Sequence, residues 1–274
     1  GVYWKNGVID TLPGSMQIDK VLFVGSNLYF LGELLSGGSG WWENGTANTI
    51  PVHGAYAKDI AVSGSGVYIL SGTNANGLSG AMFYWKDGKE VDLPKSSFGD
   101  GLATGIALSD TSIYADPDVY VCGMLSGILS DTAVYWKNNQ LIYLPDGEEA
   151  DHIAVSGMDV YVVGRSQSSP RQEVYWKNGV EVKLGTQFIA TSITVSGNDL
   201  YLAGFLGSQT HQACYMKNGL LVNLPGGNAA SGIAVNGTDV YACGNTYDTH
   251  ALLWKNGVVD TLGAGYASGI VIAP

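Results

Sequence analysis

The chain has 274 residues with a net charge of −11, and is 46% hydrophobic and 11% aromatic, which is enough to build one sizeable core. That charge argues against nucleic acid as a partner, because phosphates call for clustered Lys and Arg. No apolar run approaches the roughly 20 residues that a membrane-spanning helix needs, so no transmembrane segment is expected.

In chain order, the first element is Tyr3-Trp4-Lys5-Asn6-Gly7, a strand that breaks into an Asn-Gly turn. Variants of that phrase return at Trp42, Trp85, Trp136, Trp176, Met216 and Trp254, with separations of 38, 43, 51, 40, 40 and 38 residues. A near-constant period of this length signals a repeat architecture. Asn-Gly and Asp-Gly are the residues of a two-residue hairpin, whose central positions both need positive φ.

Between the turns come short apolar runs, Ile60-Ala61-Val62, Ile106-Ala107-Leu108, Ile153-Ala154-Val155, Ile193-Thr194-Val195 and Ile233-Ala234-Val235, with Val21-Leu22-Phe23 and Ile270-Val271-Ile272 as end copies. They suit strands buried on both faces. Each except the last is followed by a β-branched and aromatic run such as Val160-Tyr161-Val162, then by the Tyr-Trp strand, then by a run such as Val180 to Leu184. One repeat is therefore four strands, here called A, B, C and D. Four strands about every 40 residues make a propeller blade, whose two apolar faces are buried only by stacking on neighbouring blades.

The expected fold is all-β: a single β-propeller domain over residues 1–274 with seven blades, the seventh closed by both termini. Six complete units run from about Lys20 to Gly263, leaving a C–D hairpin at Val2 to Leu12 and a lone strand A at Gly269 to Ala273. The joined blade would lack strand B, either because an N-terminal segment precedes this chain or because that blade has three strands; six blades is the alternative count.

Three cysteines occur, Cys122, Cys214 and Cys243. Cys122 and Cys243 occupy corresponding strand-B slots three blades apart, beyond disulfide reach. The expected state is three buried, reduced thiols acting as small hydrophobes, with a contact of Cys214 and Cys243 between neighbouring blades as the alternative.

The combination Ile-Ala-Val-Ser-Gly, Asp-Val-Tyr-Val and Tyr-Trp-Lys-Asn-Gly, clearest over residues 153–164 with 173–184, resembles a group of bacterial propeller-like repeat proteins, including ones from gut Bacteroidetes. Many of that group are exported, so the resemblance implies an extracytoplasmic setting, secreted, periplasmic or at the cell surface. It covers essentially the whole chain and carries no catalytic signature. Departures are local: Met216 and Glu43 replace the usual Trp and Lys, and an insertion lies around Asp110 to Asp118.

In a propeller the A–B and C–D turns emerge on one face, and the B–C and D–A connections on the other. Here the first face repeats Ser-Gly and Lys-Asn-Gly turns while the second varies, and variable loops on a rigid scaffold are where function concentrates. The two residues before each strand A should lie at the mouth of the axial channel, with Asp19/Lys20, Lys58/Asp59 and Asp151/His152 as its charged members. Arg165 and Arg171, the only arginines, share one B–C loop suited to a carboxylate or phosphate. Asp146, Glu148, Glu149 and Asp151 make an acidic patch that matches no calcium loop.

The four histidines, His53, His152, His211 and His250, lack metal-ligand spacing, and no nucleophile elbow or phosphate-binding loop occurs, so no metal, cofactor or catalytic residue is expected. Tyr247 is the one aromatic on the B–C loops apart from Phe205 near a strand end. The functional expectation is a monomeric, non-enzymatic binding module that engages a glycan, peptide or protein through the variable loops. A hydrolase or lyase with its site at the channel mouth is the runner-up, and a purely structural scaffold the third reading.

Overall fold

The repeated turn sets the architecture. Asn6, Asn44, Asp87, Asn138, Asn178, Asn218 and Asn256 all have φ between 47° and 53°, and the next residue is also positive in every copy. That is the hairpin geometry whose twist matches the flanking strands. In this computed structural model the described residues are 1–50, 56–64, 66–72, 82–95, 101–109, 116–127, 130–207 and 211–273. His53, loop residues 73–80 and positions 110–115 of the insertion lie outside them.

The strands begin with β1 (Val2–Lys5) and β2 (Val8–Thr11), followed by β3 (Ser15–Val24), β4 (Asn27–Leu34), β5 (Ser39–Glu43) and β6 (Thr46–Thr49). Next come β7 (Tyr56–Ser63), β8 (Gly66–Gly72), β9 (Met82–Lys86) and β10 (Lys89–Asp92), then β11 (Gly101–Leu108), β12 (Val119–Leu125), β13 (Thr132–Lys137) and β14 (Gln140–Tyr143). The fourth set is β15 (Gly147–Ser156), β16 (Asp159–Ser166), β17 (Glu173–Lys177) and β18 (Val180–Gly185). The last two are β19 (Phe188–Ser196), β20 (Asp199–Leu206), β21 (Gln212–Lys217), β22 (Leu220–Asn223), and β23 (Ala229–Asn236), β24 (Asp239–Asn245), β25 (His250–Lys255), β26 (Val258–Ala264).

Each set of four from β3 onward is one sheet in which every strand bonds to the next in sequence, giving six four-stranded blades among the described residues. The fold is an all-β propeller. The seventh blade expected from sequence is represented by the two-stranded sheet of β1 and β2 and by the C-terminal segment after β26, whose residues 266–273 form no strand. That segment nevertheless packs as expected, since Ala267 and Ile270 share an apolar cluster with Trp4, Leu262, Cys243 and Ala251. The Ser268 hydroxyl donates to the Ile18 carbonyl at 2.7 Å.

Contacts divide the chain into two compact units. The first comprises residues 1–35, 42–47 and 187–274, the second residues 36–41 and 48–186. In the second unit the core is one cluster around Tyr68, Leu70, Ile106, Val121, Val134 and Trp136 and another around Cys122, Ile153, Val162, Val174 and Trp176. In the first, Tyr201, Ala203, Leu224, Ile233, Leu252 and Trp254 make the largest cluster.

In four of the six copies the repeated tryptophan is core, while Trp4 and Trp85 are half-buried. Trp42, Trp136, Trp176 and Trp254 are each 0% exposed, and their indole N–H groups donate to the carbonyls of Pro13, Pro94, Pro145 and Pro225 at 2.8 to 3.0 Å. Each of those prolines closes strand D of the preceding repeat. A buried indole needs such an acceptor. Where Met216 replaces Trp, the preceding strand D ends at Gly185 in place of proline.

At the turn end of the last four blades the charges are settled internally. Lys137, Lys177, Lys217 and Lys255 pair with Asp118, Asp159, Asp199 and Asp239 at 2.8 to 2.9 Å. The same ammonium groups lie 5.1 to 5.3 Å from the ring centres of Tyr120, Tyr161, Tyr201 and Tyr241. The turn Asn completes the unit: Asn178 donates to Asp159 and accepts the Val160 N–H, and Asn138, Asn218 and Asn256 repeat the pattern. These four lysines are thus ion-paired within their blades, whereas Lys86 pairs with Asp116 beyond the next inner strand at 3.0 Å.

Candidate functional site

The opposite end of each blade is shaped by one irregularity. Strand A carries a register shift at the position two residues before its Ile-Ala-Val run, falling between 18/20, 57/59, 103/105, 150/152, 190/192 and 230/232. A bulge adds an unpaired residue and re-aims its side chain. The bulged residues are Asp19, Lys58, Thr104, Asp151, Thr191 and Ser231, so the positions picked out as channel-mouth candidates are the ones where the ladder slips. Across the bulge, strand B holds a glycine in five of the six blades. At Gly164 a Cβ would stand 2.0 Å from the Glu149 carbonyl oxygen, a contact no side chain tolerates.

Several bulge hydroxyls tie neighbouring blades. Thr104 donates to the Ala150 carbonyl at 2.6 Å, Thr191 to the Ala230 carbonyl, and Ser268 occupies the corresponding place on the C-terminal segment. Asp59 serves the same purpose by a different route. Its buried carboxylate accepts the Ile60 N–H at 2.8 Å and the Ile106 N–H of the next inner strand at 2.9 Å. Such charge-assisted bonds to backbone satisfy a buried carboxylate, so Asp59 is a blade-to-blade tie in addition to its place in the predicted set.

Within the second unit, Thr104 sits at the centre of a polar cluster. Its hydroxyl lies 3.3 Å from the Cys122 Sγ. Burial pushes the Cys122 thiol up to about 12, the Thr104 bond opposes that shift, and the charges of Asp151 and Asp59 add to it. The thiol is therefore protonated and inert near neutral pH, since the thiolate is the nucleophile. Cys214 and Cys243 are likewise buried and free, and each is raised to about 12 by burial.

Asp151 is the titratable member of this cluster. Its carboxyl is raised to about 6, first by burial and then by the Glu149 charge, with Arg165 opposing the shift. Arg165 in turn pairs with Glu149 at 2.8 Å, and Arg171 pairs with Glu148. Each of the two arginines that share this loop has a carboxylate partner on β15 of its own blade. Glu148 and Glu149 of the acidic patch are the other half of those pairs, with Glu149 directly opposite Arg165 in register.

The structure thus brings Asp59, Asp151, Glu149 and Arg165 into one electrostatic neighbourhood around Thr104 and Cys122. Lys58 is exposed and His152 half-buried on the same inner strands, β7 and β15. Asp19 and Lys20 belong to β3 in the other unit, where exposed Asp19 accepts from Gln17 at 2.5 Å. The sequence places Thr104 before a strand A, Cys122 in strand B and Glu149 in the acidic patch, but gives no sign that they meet.

Among the described residues no group of three or more His, Cys, Asp or Glu side chains is arranged to hold a metal ion. No helix is long and apolar enough to cross a membrane.

No family model matches the chain, and no curated protein matches it. Among solved structures it is similar to a puromycin-hydrolysing peptidase from Mycobacterium tuberculosis, with 11% identity over 96% of this chain and 49% of that one and a TM-score of 0.62. The chain spans about half the length of that peptidase structure. The polysaccharide lyase Uly1 aligns at 11% identity over 94% of this chain and 82% of that one with a TM-score of 0.46. An Aleuria aurantia lectin in complex with α-methyl-L-fucoside aligns at 12% identity over 89% of this chain and 91% of that one, also with a TM-score of 0.46. At these identities what the chain and the peptidase share is a fold.

Proposed function

We propose that this protein is an extracytoplasmic, monomeric, non-enzymatic binding module whose variable-loop end engages a glycan, a peptide or another protein. The observation that carries the reading is the contrast between the two ends of a blade. At the turn end, Lys177, Asp159, Asn178 and Tyr161 satisfy one another, and the same set recurs in blade after blade. Groups already paired in a repeated lattice have little to offer a specific partner. At the loop end the side chains differ from blade to blade, and Lys58, Asp151, His152 and Arg165 form the charged arc we assign to ligand contact.

The resemblance to exported repeat proteins supports the extracytoplasmic setting. The protonated, buried Cys122 thiol supports binding over covalent catalysis in this cluster, because it supplies no nucleophile.

Hydrogen exchange with and without candidate glycans and peptides tests the reading. Ligand-dependent protection should fall on the B–C and D–A connections. Protection confined to the Lys-Asn-Gly turns would overturn it, as would turnover of a ligand that is abolished in Asp151→Asn, which would favour a hydrolase or lyase.

A further inference from the structure

Tyr247 of the last blade is joined to His211 of the blade before it, whose ring packs on Phe205 at the end of β20. Tyr247 sits at the tip of the short connection between β24 and β25 with 65% of its surface exposed. Its hydroxyl accepts the His211 N–H at 2.5 Å and donates to the His211 carbonyl at 3.1 Å. Both contacts are to backbone, across a separation of 36 residues. The tyrosine of one loop is therefore fastened to the loop of the neighbouring blade, while its ring stays in solvent.

On the other side of that anchor the imidazole of His211 stacks against Phe205, with ring centres 4.5 Å apart and planes tilted by 38°. Gly207 makes the packing possible, because a Cβ there would stand 3.1 Å from Phe205 and 3.3 Å from His211. Beside Tyr247, the exposed Asp248 carboxylate is held by the Thr246 hydroxyl at 2.5 Å and by His250 at 3.4 Å. Those bonds keep its carboxyl below the usual carboxylate range, the Thr246 hydroxyl contributing most.

We infer that Tyr247 and Asp248, braced by His211, form a binding site for a neutral saccharide. This rests on the binding-module reading and names the ligand class for a second place on the loop end. A sugar presents one face of C–H groups and a rim of hydroxyls. An aromatic ring with a spent hydroxyl offers π surface to the first, and a fixed carboxylate offers acceptors to the second. Both groups are immobilised before the ligand arrives, so little ordering entropy is lost on binding. Ionised Asp248 and a net charge of −11 disfavour an anionic sugar. A cationic peptide is the competing occupant; the Asp248 carboxylate already accepts from Thr246 and contacts His250, which leaves it better suited to accept hydroxyls than to pair with a cation.

Affinity electrophoresis of the whole chain through gels containing galactomannan, xyloglucan or arabinoxylan tests the site. At least one polysaccharide should retard the native protein, and Tyr247→Ala should weaken that apparent affinity at least tenfold with an unchanged melting temperature. Tyr247→Phe keeps the ring and loses the anchor, so it should bind between the two. Tyr143→Ala, which removes an exposed tyrosine in the other unit, should bind like the native chain. Retardation that survives Tyr247→Ala would overturn this site and leave the binding-module reading standing. Failure of all three polysaccharides, or binding of polylysine that Tyr247→Ala abolishes, would overturn the saccharide assignment.

Discussion

The indole N–H of Trp176 donates to the carbonyl of Pro145 at 3.0 Å, linking strand C of one blade to the end of strand D in the blade before it. Trp176 is 0% exposed, so it fills the space between two sheets and also satisfies a carbonyl at their margin. Packing supplies the larger share of its effect, because about 3–5 kcal/mol is the usual cost of removing a buried tryptophan side chain, against about 1 kcal/mol for one neutral hydrogen bond.

Trp176→Ala should therefore destabilise the protein by roughly 3–5 kcal/mol in equilibrium urea unfolding. Trp176→Phe, which keeps an aromatic body and loses the donor, should cost clearly less. Aqueous iodide should barely quench the four fully buried indoles. A loss under about 1 kcal/mol for the alanine variant would mean that the repeated tryptophan is a surface platform and not core.

The bulge gives a second expectation. Gly164 has no room for a methyl group, since its Cβ would lie 2.0 Å from the Glu149 carbonyl oxygen. That obstacle is backbone and cannot rotate away. Gly164→Ala should cost at least about 2–3 kcal/mol, in the range of strain and overpacking effects, and should loosen the neighbouring Arg165–Glu149 pair. An alanine variant as stable as the native chain in urea would show that the bulge is not fixed.

Much of this architecture was legible in the sequence because it rests on local chemistry. Asn-Gly at Asn178-Gly179 dictates a hairpin, and Ile153 to Val155 dictates a buried strand, whatever surrounds them. The six complete blades followed, as did the burial of four of the repeated tryptophans and of the cysteines, while the expected seventh blade is present only as the β1–β2 hairpin and a C-terminal segment that forms no strand. What stayed hidden depends on which side chains a bulge or a neighbouring blade brings within reach. Asp59 reads as a charged mouth residue, and only the spacing of β7 and β11 turns it towards the Ile106 N–H. Arg165 and Arg171 read as an anion-binding pair until the register sets Glu149 opposite the first. The Tyr247–His211 anchor spans two loops with no repeat to align them, so nothing local announced it.

Asp151 yields a pH-dependent expectation. Its carboxyl is held at about 6 in the folded chain against 3.8 as the ordinary value, mainly by burial. Between those values the native state keeps a proton that the unfolded chain has lost, so this group's contribution makes stability fall as pH rises from about 4 to 6. At pH 7 the ionised carboxylate is a net cost of about 1–3 kcal/mol. Asp151→Asn should raise stability by that order at pH 7 and leave it nearly unchanged at pH 3. The check is the difference between the two stability curves, which removes the opposite contributions of Asp118, Asp159, Asp199 and Asp239. A flat difference would place Asp151 in water.

Blade one carries the charge set in altered form. Asn27 stands where four other blades have Asp and Glu43 where all five others have Lys, yet the network survives, with Asn27 donating to Glu43 at 2.9 Å and Tyr29 donating to it at 3.0 Å. Asn44 still accepts the Leu28 N–H. The two departures compensate each other, because a carboxylate at one position requires a donor at the other. Glu43→Lys alone sets an ammonium against the Asn27 amide and removes the acceptor for Tyr29, so it should destabilise. Adding Asn27→Asp should recover most of that loss by restoring the pattern of Lys177 with Asp159. A double-mutant cycle in urea reads the coupling, which for neighbours in one network should reach about 0.5 kcal/mol or more. Simple additivity of the two changes would mean that these positions settle their charges independently, and that the repeated Asp, Lys and Tyr set is a composition habit with no energetic link.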